Sequence, residues 1–167
     1  MRPVLNFIRS VAFAGALAGL GLPLWAAPSQ AQTRGAFADF GGSWSGPGRV
    51  ESASGTEAIR CRAQGQVGEG GATVVQRLVC ASASYQFNID CRAADNGGQV
   101  SGSWSETTRG ISGSLSGTVR NGRLQALVNS PLFTASVSIV TRGKTQEVVI
   151  APQNNDVRQV SVRLTRS

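Results

Sequence analysis

The chain has 167 residues, with sixteen basic and nine acidic side chains, no histidine and a net charge of +7. Without His there is no Ser–His–Asp or Cys–His nucleophilic system, and the length suits one domain with a real core. The basic balance favours anionic partners, but the arginines are scattered singly rather than set in a stripe with interleaved aromatics, so no nucleic acid is expected.

Arg2 and Arg9 lie in a short basic start, Val11 to Leu24 is apolar, and Ser29-Gln30-Ala31 is a small-x-small site. This is the layout of a Sec-type signal peptide cut after Ala31, with an apolar run too short for a comfortable membrane span. The expected location is periplasmic or secreted. Removing residues 1–31 takes away two bases and no acids, leaving 136 residues and a charge of +5. Residues 32–40 read as a flexible lead-in and 41–167 as a single β-barrel domain.

The first strand begins at Gly42-Ser43-Trp44-Ser45-Gly46, and Gly102-Ser103-Trp104-Ser105 repeats its start. With period two, Trp44 and Val50 fall on one face and Ser43, Ser45 and Arg49 on the other, the mark of a half-buried strand. The same alternation then recurs through the chain. Its inward sets are Ile59–Cys61–Ala63–Val67, Val74–Leu78–Cys80, Tyr85–Phe87–Ile89–Cys91–Ala93 and Val100–Gly102–Trp104. Ile111–Gly113–Leu115–Gly117–Val119, Leu124–Ala126–Val128, Phe133–Ala135–Val137–Ile139, Val148–Ile150 and Val160–Val162–Leu164 follow. Asp95-Asn96-Gly97-Gly98 and Asn121-Gly122 are strong hairpin signals.

No segment after Gln32 has helical spacing. The fold class is therefore all-β, an antiparallel up-and-down meander of about 8–10 strands. A small closed or nearly closed barrel is favoured over two packed sheets, because an open sheet leaves unpaired edges. Inward glycines beside Trp44, Trp104 and Leu115 let the sheet coil tightly. Tight packing around two Trp plugs is the plainer expectation for the interior, since side chains can fill small barrels. A ligand cavity is the alternative.

Cys61 and Cys80 are equidistant from the midpoint of Gly70-Gly71, so a hairpin centred there sets them face to face, within reach of a disulfide. Cys61 with Cys91 would span two strand spacings, and Cys80 with Cys91 would be out of register. The expected bond is Cys61–Cys80, with Cys91 a buried free thiol. No Cys-x-x-Cys is present, so neither metal nor cofactor is expected.

The nine acids are dispersed and form no paired motif, so catalysis is not expected. An integral outer-membrane barrel is also disfavoured: the alternate face is Ser, Thr, Gln and Arg rather than apolar.

At Gly42-x-Trp44 followed by a β-meander, the chain resembles the calycin barrels, lipocalins and avidins. In those a Trp of the first strand plugs one end of the barrel. The mature chain also looks like a group of small exported bacterial proteins, which implies compartment and domain extent. Two functions are expected from these features. One is a non-catalytic binding module for a small apolar or aromatic ligand, with Trp44, Tyr85, Phe87, Trp104 and Phe133 as lining candidates. The other is an envelope interaction protein or protease inhibitor with a filled barrel, working through its loops and an exposed arm at Gln32 to Phe40. Partners would be a small apolar ligand or an anionic envelope component.

Overall fold

The structure is a computed structural model that describes residues 34–167. The signal-peptide reading and its cleavage site lie outside the described residues. Ten strands run in chain order: β1 (Gly42–Ser52), β2 (Gly55–Gly68), β3 (Thr73–Ala81), β4 (Gln86–Asn96) and β5 (Gln99–Glu106). Then come β6 (Ile111–Arg120), β7 (Arg123–Asn129), β8 (Thr134–Arg142), β9 (Thr145–Pro152) and β10 (Val157–Arg166). Each pairs antiparallel with the next, and β10 pairs back onto β1, so the meander is a closed barrel.

Strict alternation is what makes the wall. The inward sets anticipated above form one hydrophobic interior, from Val50, Ile59 and Leu78 round to Leu115, Val128 and Leu164. The intervening Ser, Thr, Gln and Arg mostly face out. Close backbone approach explains two of the inward glycines. A Cβ on Gly102 would collide with the carbonyl oxygen of Arg92, and one on Gly46 with that of Arg163. Only a residue without a side chain lets the neighbouring strand bend in so far. Pro47, which has no N–H to donate, falls where the seam skips from Ser45↔Thr165 to Gly48↔Val162.

Cys61 and Cys80 are directly opposed on β2 and β3 and are joined by a disulfide, with Cα atoms 4.1 Å apart. Cys91 is free. It is half-buried and lines the lumen rather than being sealed in the core, because its strand neighbours leave the space in front of it unfilled. The first hairpin is tighter than the Ser/Gly-rich stretch suggests: pairing continues to Ser52↔Gly55, so the turn is Ala53-Ser54 alone.

From Gly35 on, the segment read as a flexible lead-in is built into the barrel instead. Ala38–Phe40 forms a 3-10 turn, η1, and Phe37 and Phe40 are fully buried. Three residues per turn set both rings on one side, where they meet edge to face with centroids 5.4 Å apart. The amides of Gly35 and Phe37 donate to the carbonyls of Gly70 and Gly71 at 3.0 Å, fixing the segment to the β2–β3 turn.

Candidate functional site

The two ends of the lumen differ. At the end carrying η1, Trp44 is 1% exposed and its indole Nε1 donates to the Phe40 carbonyl at 3.3 Å. The Arg166 guanidinium lies over the Trp44 ring, 4.3 Å from its centroid, while Nη2 donates to the Asp39 carbonyl at 2.8 Å. A side chain from β10 thus straps the plug in place. Above it, Gln76 Nε2 donates to Gln146 Oε1 and Gln146 Nε2 to Thr141 Oγ1, both at 3.0 Å. Gln76 is on β3 and Gln146 on β9, strands that do not pair, so this bond crosses the lumen. Gln146 is fully buried, and these bonds meet the need of its amide for partners.

Beyond that crossing lies a cavity of about 370 Å³ that runs from Phe40 to the opposite mouth. Its wall is apolar: Val74, Leu78, Cys91, Leu115, Val137 and Ile150 contribute from strands all round the barrel. The sequence expectation of a filled interior is therefore corrected. Many inward positions carry Gly, Ala, Val or Cys, and these are too short to meet across ten strands. Four of the five lining candidates, Tyr85, Phe87, Trp104 and Phe133, do line the cavity. Trp44 does not: it sits in the plugged end, as the Gly-x-Trp start implied, with Phe40 rather than Trp44 lining the open volume.

The mouth is an aromatic rim with one buried carboxylate. Tyr85 stacks on Phe87 at 6.0 Å and 13°, and the Arg109 guanidinium covers Phe87 at 5.5 Å. Phe133 leans on Trp104 at 5.7 Å. Glu106, 6% exposed, accepts the amide N–H groups of Asn88 at 3.1 Å, Thr108 at 3.0 Å and Arg109 at 2.8 Å. The Arg109 guanidinium is 3.5 Å away. Burial works against the charge on Glu106, but these donors outweigh it and hold the carboxyl below the usual Glu range. Burial pushes the Cys91 thiol up to about 11, so it is protonated and inert at neutral pH.

Sequence reasoning missed Glu106, Gln76, Gln146 and the part of the plug that Phe37 and Phe40 make. The signal for Glu106 was present, because Val100, Gly102, Trp104 and Glu106 continue one parity. Nothing in the plug's three-residue turn is periodic. In comparisons with known proteins, the chain matches no family model and no curated protein.

Proposed function

We propose that this is an exported, non-catalytic binding module that holds one small apolar or aromatic ligand in its lumen. The observation that carries it is the apolar cavity, open at one end and stopped at the other by Phe40. Its volume falls within the usual ligand-pocket range of about 300–1,000 Å³. The only carboxylate at the mouth, among the described residues that line the cavity, is held by three amides and faced by Arg109, so the lining favours an uncharged ligand.

The calycin resemblance fits this reading, as Trp44 sits in the plugged end. The disulfide suits an oxidising compartment, periplasmic or extracellular. The polar outer wall suits a barrel surrounded by water rather than lipid. The inhibitor reading needs a filled lumen and an exposed arm, and burial of Phe37 and Phe40 leaves that arm little to offer.

The neutral dye N-phenyl-1-naphthylamine tests the proposal. The protein should bind it with enhanced fluorescence at one site per chain. Val137→Trp, which puts an indole into the cavity, should weaken binding at least about tenfold, the loss of one good apolar contact surface. Equal binding by both proteins would place the dye elsewhere and end the lumen reading.

A further inference from the structure

The plugged end carries a charge pattern that neither the fold nor the cavity explains. Arg120 and Arg123 flank the Asn121-Gly122 turn, and Arg142 and Lys144 flank or occupy the Gly143-Lys144 turn. All four are exposed. The two tips are neighbours, since the Thr141 amide donates to the Gly122 carbonyl at 2.7 Å. No ion pair engages any of the four among the described residues, where the pairs are Arg34–Asp39, Arg77–Asp90, Arg109–Glu106 and Arg163–Glu147. Arg120 and Arg123 are directly opposed in register, an arrangement that disfavours the folded hairpin. The other turns of this end carry Glu69 and Asp95, and η1 adds Asp39; Asp39 is already faced by Arg34, and an Asp95 oxygen accepts the Gly98 amide.

The opposite end leans the other way. Its turns and their margins hold Glu51, Glu57, Glu106 and Asp156 against Arg109 and Arg158. A negatively charged surface would therefore turn the plugged end toward itself and leave the mouth facing solvent.

We infer that the plugged end is an interaction surface for an anionic lipid bilayer, engaged by the adjacent β6–β7 and β8–β9 hairpin tips. The four cations are spread over two neighbouring hairpin tips, which fits an extended sheet of phosphates better than one small anion. Each cation near such a surface contributes roughly fivefold in partitioning, so losing the two on one tip should cost about 25-fold.

Co-sedimentation of the full chain with vesicles is the test, with the apolar segment near its start common to every arm. The unmodified protein should bind phosphatidylcholine–phosphatidylglycerol vesicles about 600-fold more tightly than phosphatidylcholine alone, and high salt should remove the difference. R120Q/R123Q and R142Q/K144Q should each lose about 25-fold, whereas R60Q/R62Q on the outer wall should lose about twofold or less, as distant charges are screened. Three results would overturn the inference. One is equal binding to the two vesicle types, and another is an equal loss from the wall pair. The third is binding to soluble polyglutamate as tight as to the anionic vesicles, which would make the partner an acidic polymer.

Discussion

The plugged end and the mouth are made from the same strands and finished differently. Three of the plugged end's four strand-to-strand turns, Gly97-Gly98, Asn121-Gly122 and Gly143-Lys144, are two-residue connections. Asn121 and Gly122 take φ of 50° and 71°, as both central residues of a type I′ turn must. At the mouth four of five connections span four residues: Ser82–Tyr85, Thr107–Gly110, Ser130–Phe133 and Gln153–Asp156. Side chains organise them. Ser82 Oγ accepts the Tyr85 amide and Ser130 Oγ the Phe133 amide. Glu106 holds its turn by two amides, and Asn155 accepts from Val157. Tight turns and buried aromatics make a stopper. Longer, locally braced loops keep an aromatic rim open over empty volume.

Stability should divide the same way. Phe40→Ala, which removes a fully buried ring from the plug, should cost about 3–5 kcal/mol. Leu132→Ala at the mouth, where the side chain is 72% exposed, should stay within about 0.5 kcal/mol. Urea titration of both variants checks the contrast, and similar losses would erase it.

Reactivity gives the next largest effect. With its thiol near 11, Cys91 carries on the order of a hundredfold less thiolate than an ordinary cysteine, and iodoacetamide at pH 8 should label it slower by that factor until the protein is unfolded. Labelling at the rate of a free thiol would mean that the lumen is wetter than its walls imply.

The mouth's carboxylate gives a smaller one. Glu106→Leu leaves the Asn88, Thr108 and Arg109 amides without their acceptor and should cost about 1–3 kcal/mol. The folded Glu106 has a depressed pKa, so its contribution is complete above the ordinary Glu range and is lost as pH falls through the lower folded value. Acid titration of the wild type and Glu106→Leu should converge at low pH. Parallel curves would assign the acid sensitivity to other groups.

Much of this was legible in the sequence because a strand has only two faces. Strict alternation through Ile111–Val119 fixed which residues face in, and the distance from Cys61 and Cys80 to one turn fixed their register. What escaped falls under other physics. Phe37 and Phe40 act through a single 3-10 turn, too short to show a period. Gln76 and Gln146 point inward as polar residues, where the alternation rule looks for apolar ones. Whether the lumen is full depends on summed side-chain volume across ten strands, and parity says nothing about volume.

Closure at β1 and β10 also shapes how the molecule comes to be. Nine of its ten strand pairings join consecutive strands, so assembly can proceed hairpin by hairpin over short loops. Among the strand pairings, only the seam, from Trp44↔Arg166 to Ser52↔Val157, joins distant parts of the chain. Until it shuts, β1 and β10 both present bare ladders to any neighbouring chain. The interval before that last zipper closes is when the nascent protein is most open to aggregation.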